Sequence, residues 1–195
     1  MSEERESAPV VSALFLDRDG TINEDTAHVS KPDNVRLIPG AGEAIARLNA
    51  AGIPVIVVTN QSGIGRGLFT VDDYAAVSAR IDELLGALGA RIDATYVCPH
   101  APTDACDCRK PRTQLYSEAR DDRGIELARA WFVGDRLRDI EPAAVFGGRG
   151  ILVPRTSTPE EDIAAALARF SIEATLEAAV ARALGEPLTP PWTPR

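Results

Sequence analysis

The chain has 195 residues, an apolar fraction of 45% and a formal charge of −8, from 21 Lys+Arg against 29 Asp+Glu. That length accommodates one domain with a substantial core, and the acidic balance argues against duplex nucleic acid as a main partner, because phosphate contacts need a basic face. No apolar run approaches the roughly 18 residues of a membrane span, and the opening MSEERESAP lacks the basic-then-apolar order of a secretory signal, so a cytoplasmic protein away from membranes is expected.

Residues 1–9 are charged and read as a disordered segment, and residues 10–184 as one folded domain. Ser12–Leu16 is a short apolar run ending in Asp17. A helical pattern over Gly40–Ala51 is stopped by Gly52, and the β-branched run Ile53–Val58 then ends in Thr59. Val71–Leu88 carries Tyr74, Val77, Ile81, Leu84, Leu85 and Leu88 at the spacing of one helical face, with Thr70 and Asp73 as a capping box. Ile92–Val97 leads into Cys98, and Thr113–Arg123 reads as helix closed by Gly124. Ala130–Val133 ends in Gly134 and Asp135, and a helical pattern over Arg138–Phe146 follows. Ile151–Val153 is a weaker fifth strand, followed by helices over 159–169 and 173–184. Residues 185–195, GEPLTPPWTPR, hold four prolines and read as a tail that cannot continue a helix.

Short continuous apolar runs separated by helices predict a doubly wound, Rossmann-like α/β fold: a parallel sheet buried on both faces. Its ligand site is then expected beyond the carboxyl ends of the strands. The residues at four of those ends are Asp17 and Asp19, Thr59 and Asn60, the segment Cys98–Lys110, and Asp135 and Asp139.

In D-R-D-G-T (17–21), a carboxylate at the strand tip can attack a ligand while a second one, two residues on, moves a proton. Alone, D-x-D is equally an acidic loop with a turn glycine. In G-D-R-L-R-D (134–139), hard oxygen donors with open water positions suit Mg²⁺, although GDxxxD alone is also a plausible acidic helix start. Thr59 offers a hydroxyl and Asn60 a backbone N–H, and Ser62, Gly63, Gly65 and Gly67 form a flexible loop whose amides could approach an anion. Lys110 could balance a transferring phosphoryl group.

All three cysteines, Cys98, Cys106 and Cys108, lie with His100 inside C-P-H-A-P-T-D-A-C-D-C-R-K-P (98–111). Thiolate and imidazole donors in a set of four suit tetrahedral Zn²⁺ and leave no open position, so this metal would be structural. Three reduced thiols that happen to be close, or a C-x-C redox pair, are the alternatives. Only 42 positions separate Asp17 from Thr59 and 51 separate Thr59 from Lys110. Neither gap has room for a cap domain, and the site is expected to be open.

Asp-x-Asp, then Thr-Asn, then Lys-Pro, then Gly-Asp-x-x-x-Asp, each after a strand, resembles the haloacid dehalogenase superfamily of phosphohydrolases over about residues 12–155. The resemblance implies that Asp17 attacks phosphorus, forming an aspartyl-phosphate, and that Asp19 acts as acid and then base. It implies that Thr59 and Lys110 stabilise the phosphoryl group. Mg²⁺ would be held by Asp17, the backbone carbonyl of Asp19, and Asp135, with Asp139 orienting that set. CPH…CDCRKP is similar to the zinc-binding branch, which holds heptose-bisphosphate 7-phosphatases and histidinol-phosphate phosphatases. The stretches DRDGTINED and TNQSGIGRGLFT resemble the heptose members more. Two features depart from them: five residues between His100 and Cys106, nearer the histidinol-phosphate group, and Arg136 where lysine is frequent.

By this resemblance Thr59, Asn60, Gln61, Ser62, Arg109 and Lys110 contact substrate, and the segment Asp25 to His28 lines the entrance. Arg66 and Arg136 are added as rim cations for a second phosphate. The expected protein is a monomeric phosphatase acting on a small phosphorylated sugar. A catalytically inactive zinc-stabilised binding protein would lack a motif residue, and none is missing. A polynucleotide 3′-phosphatase is disfavoured by the charge of −8.

Overall fold

The structure is a computed structural model and describes residues 11–25 and 29–187. The expected disordered segment 1–9 and most of the proline-rich tail therefore lie outside the described residues. Six strands, all parallel, form one sheet: β1 (Leu14–Leu16), β2 (Val55–Asn60), β3 (Ala94–Cys98), β4 (Trp131–Gly134), β5 (Arg149–Leu152) and β6 (Ser171–Ile172), in the order β3-β2-β1-β4-β5-β6. The chain runs outward one way from β1 through β2 and β3, and the other way from β4 through β6. Strand order reverses at β1, which makes its carboxyl end the switch point. No helix among the described residues is long and apolar enough to cross a membrane.

Alternation along the strands feeds two cores, because successive side chains point to opposite faces. Leu14, Leu16, Val55, Val57 and Val133 face α1 (Ala41–Ala50), α3 (Val71–Gly86) and α8 (Leu176–Ala183). Phe15, Ile56, Val58 and Phe132 face α4 (Gln114–Arg123) and α6 (Pro142–Phe146). Phe15 stacks on Phe132 at 5.0 Å between ring centroids and meets Tyr116 of α4 edge-on at 5.2 Å. A smaller cluster joins Ile140 and Leu152 to Ala166 of α7 (Glu160–Arg169).

Several boundaries differ from expectation for identifiable reasons. The helix expected over Arg138–Phe146 is two short ones, α5 (Leu137–Ile140) and α6, because Pro142 has no N–H to continue the first and is well placed to begin the second. The glycine-rich stretch after β2 is not a flexible loop but the short helix α2 (Ser62–Gly65). The third helix ends at Gly86 rather than Leu88, although its capping box of Thr70 and Asp73 is present as expected. The last helix starts at Leu176 rather than at residue 173, because Thr175 caps it: the Thr175 hydroxyl accepts from the Ala178 amide. Strand β6 was not expected: two half-buried residues at a sheet edge leave no periodic signal. The fifth strand begins at Arg149, two residues earlier than its apolar run.

Candidate active site and candidate metal centres

The strand ends converge as the fold class requires. Asp17 follows β1, Thr59 lies near the end of β2, and Asp135 follows β4. Together they line a cavity of about 280 Å³ that also receives Asp19, Lys110 and Arg109. Asp17, Asp135 and Asp139 are all buried, and one carboxylate oxygen from each lies within 4.8 Å of the others.

Lys110 is the counter-charge. Its Nζ donates to Asp17 Oδ1 at 2.7 Å and to the Val58 carbonyl at 2.6 Å, and stands 2.8 Å from Asp139 Oδ1. Burial disfavours an ammonium, yet Asp139 and Asp17 raise its proton affinity above the ordinary lysine value. One lysine does not balance three carboxylates. Burial, relieved by Lys110 but reinforced by Asp139 and Asp19, pushes Asp17 up to about 6. Burial and the neighbours Asp17 and Asp139 push Asp135 up to about 7. Asp135 Oδ2 is buried and accepts no hydrogen bond, with Arg136 Nε in ion-pair contact at 3.2 Å. A buried, under-neutralised set of hard oxygen donors with an orphaned oxygen fits a divalent cation such as Mg²⁺.

Two glycines make this crowding possible. Gly20 has φ +87°, and a Cβ there would stand 2.7 Å from Asp135 Cγ. A Cβ at Gly134 would strike Asp139 Cβ. The glycines of D-x-D-G and G-D-x-x-x-D thus leave the space that the carboxylates of the second motif occupy.

The Asp19 carboxylate is turned to a different set of partners. It takes Arg18 Nη2 at 2.9 Å, Asn23 Nδ2 at 2.9 Å and Gln61 Nε2 at 2.7 Å. Although burial opposes it, Arg18 and these hydrogen bonds hold Asp19 below the ordinary carboxylate range. Only its backbone carbonyl remains for the metal role expected of it. Gln61 also donates to Thr59 Oγ1 at 2.9 Å, tying the Asp19 carboxylate to the hydroxyl at the β2 end. A hydroxyl that accepts one bond still has a proton to give.

The other expected contacts divide. Ser62, Asp25, Arg109 and Arg136 line the cavity, whereas Arg66 is not among its lining residues, and His28 lies outside the described residues. Asn60 lines it too, but its amide braces the lysine: Asn60 Oδ1 accepts from the Lys110 amide at 3.0 Å and Nδ2 donates to the Lys110 carbonyl at 3.3 Å. Of the loop amides expected to approach an anion, those of Gly65 and Gly67 are already engaged within the protein. They and those of Ile64, Arg66 and Leu68 donate to backbone carbonyls. Gly63 and Gly65 serve close packing: a Cβ at Gly63 would strike Phe69, and one at Gly65 would strike the backbone of residues 99–101, whereas Gly67 supplies a left-handed turn at φ +67°.

Sequence reasoning missed Arg18 and Arg138. Arg18 is buried, pairs with Asp19 and lies 5.0 Å over the Tyr74 ring. Its signal is its place between two carboxylates. Arg138 lines the cavity but reads in the sequence as an ordinary helix residue.

The four donors of the cysteine loop come together. Cys98 Sγ is 3.7 Å from Cys106 Sγ and 3.7 Å from His100 Nδ1, which is 3.1 Å from Cys108 Sγ. A tetrahedron with metal–sulfur bonds of about 2.3 Å has sulfur–sulfur edges of about 3.75 Å, so the spacing and the donor chemistry fit Zn²⁺. All four lie within 4.8 Å of one another. Burial and the adjacent thiols push Cys108 up to about 12, a penalty that a cation would remove. The loop is tied to the acidic rim by Gln61 N donating to Cys98 O at 2.7 Å and Gly65 N to Pro99 O at 2.8 Å.

Comparison with known proteins agrees with this geometry. Residues 11–147 match the haloacid dehalogenase-like hydrolase family. The chain is 42% identical over 143 residues to the D-glycero-beta-D-manno-heptose-1,7-bisphosphate 7-phosphatase of Pseudomonas aeruginosa, covering 73% of this chain and 80% of that protein. It is 41% identical over 169 residues to the protein of the same name from Escherichia coli O6:H1, covering 81% and 88%. Among solved structures, it is similar to D,D-heptose 1,7-bisphosphate phosphatase from B. bronchiseptica, complexed with magnesium and phosphate. That match has a TM-score of 0.81 at 36% identity and covers 89% of this chain and 98% of that one.

Proposed function

The chain belongs to the haloacid dehalogenase-like hydrolases, and on that premise we propose that this phosphatase removes the 7-phosphate of D-glycero-D-manno-heptose 1,7-bisphosphate. One observation carries the reading: Asp17, at the tip of the central strand, lies 2.7 Å from Lys110 in a cavity also lined by Asp19, Thr59 and Asp135, in a chain about 40% identical to enzymes so named.

In the proposed reaction an Asp17 oxygen attacks phosphorus, and the bond from phosphorus to the sugar oxygen breaks. Asp19 gives its proton to that leaving oxygen. Asp19 then takes a proton from water as the water oxygen attacks the phosphoryl group, freeing phosphate and restoring Asp17. This divides one difficult displacement into two easier ones. Lys110 and the Thr59 hydroxyl hold the phosphoryl oxygens. Gln61 orients Asp19 and Thr59 together through its two hydrogen bonds. In the free enzyme Arg18, Asn23 and Gln61 favour the ionised form of Asp19, which is the base of the second step. An anionic substrate beside it raises its affinity for the proton needed in the first.

Mg²⁺ held by Asp17, Asp135 and the backbone carbonyl of Asp19, with Asp139 beside them, would neutralise charge between nucleophile and substrate. Zn²⁺ held by Cys98, His100, Cys106 and Cys108 would fix the loop that delivers Arg109 and Lys110. Arg109, Arg136 and Arg138 supply cations around the mouth for the sugar and its second phosphate. The enzyme is proposed to act as a cytoplasmic monomer.

The shorter loop between His100 and Cys106 favours histidinol phosphate as the competing substrate. The deciding experiment compares kcat/KM for the heptose bisphosphate and histidinol phosphate, with and without Mg²⁺. A preference for the bisphosphate is expected, and a strong preference for histidinol phosphate overturns the assignment.

A further inference from the structure

The rim opposite the active site carries a concavity of about 480 Å³ where β4, β5 and β6 begin. Arg149, Arg169 and Arg182 converge on it in a molecule whose net charge is −8. Arg149 lies over the Trp131 ring at 5.3 Å and Arg169 over the Phe170 ring at 5.2 Å. Among the described residues, no carboxylate pairs with either. Arg182 pairs with the buried Glu173. Three cations therefore face one carboxylate.

Arg169 and Arg182 stand in the last turns of α7 and α8, where a cation complements the helix end. That role does not extend to Arg149, which opens a strand. The rings beneath Arg149 and Arg169 brace their guanidinium planes, limiting the side-chain freedom that binding would otherwise have to remove. A guanidinium has five N–H donors and no acceptor, and its fork matches phosphate. We propose that this concavity is a second binding site, taking a small, multiply charged phosphate ester. It is separate from the proposed active site: β4 and the residue after it lead from Trp131 at this rim to Asp135 at the other, about 13 Å at the usual rise per residue.

The test uses the full chain carrying Trp192→Phe, which leaves Trp131 as the only tryptophan, and Asp17→Asn, which removes turnover. Trp131 emission is followed during titration with fructose 1,6-bisphosphate, AMP and inorganic phosphate at low salt. A saturable change is expected, tightest for the bisphosphate and weakened by added salt. Arg149→Gln with Arg169→Gln should weaken it at least about tenfold; both are exposed positions, and in the Asp17-containing protein they should leave phosphatase activity unchanged. Tighter binding of AMP than of the bisphosphate would also support the site and identify its ligand as a nucleotide. No response, an equal response in the double variant, or a response to an RNA oligonucleotide but to none of the three small phosphates would each overturn the proposal.

Discussion

The acidic rim and the cysteine loop are both sets of converging donors, but they are built by opposite means. The rim takes Asp17, Lys110 and Asp135 from three distant segments, placed by the register of β1, β2 and β4 and by Asn60 gripping the Lys110 backbone. The loop takes all four donors from residues 98–108, with no helix or strand between Cys98 and Cys108 to hold them. The sheet assembles the first set, whereas the second is assembled by its own loop and by the metal we propose for it. They meet at Lys110, two residues after Cys108, so the loop's order is a condition of the rim's charge balance.

The largest expected effect separates chemistry from folding. Asp17→Asn should lower kcat at least about 10⁴-fold. Its melting temperature without Mg²⁺ should be unchanged or higher, because the variant removes a carboxylate that burial disfavours. Turnover near the wild-type rate would mean another nucleophile. Cys106→Ser strikes the other centre and should lose zinc by elemental analysis. A shift of about 1 Å in Lys110 is enough to cost about a hundredfold in rate, so activity should fall with zinc content. Unchanged zinc, or full activity without it, would uncouple the two regions.

Gln61→Ala sharpens the comparison within the rim. It removes the link between Asp19 and Thr59 without touching the cysteine donors, so kcat/KM should fall about tenfold with zinc content unchanged. The smallest effect is a pH dependence. The raised Asp17 and Asp135 bind protons more tightly in the folded state than in the unfolded one. Their contribution to the stability of Mg²⁺-free protein is fully present below the ordinary carboxylate range and is lost as pH rises through about 6 and about 7. Melting temperatures measured across that range without Mg²⁺ should fall, and added Mg²⁺ should restore them most at the upper end. A flat profile would show that the carboxylates are already neutralised by other means.

Much of this is legible in the sequence because it is local. The apolar runs give their own strands, and Thr70 and Asp73 form their cap within one turn. The cysteine donors lie within eleven residues, so their spacing can be read directly. Some local features are too weak to read: β6 is two residues long, and Pro142 is masked by the apolar helical pattern around it. The glycine loop misleads because Gly63 and Gly65 answer to Phe69 and to residues 99–101, neighbours that composition does not reveal.

By itself the sequence determined the parallel α/β class, the order of the motifs and both candidate donor sets, since hydrophobic periodicity and residue chemistry are properties of short segments. Tertiary structure alone decided that Lys110 reaches across 93 positions to Asp17, that Arg18 and Gln61 take hold of Asp19, and that Arg149, Arg169 and Arg182 share one concavity at the far rim. Those contacts depend on which strands become neighbours, and burial then sets the strength of every charge interaction made there.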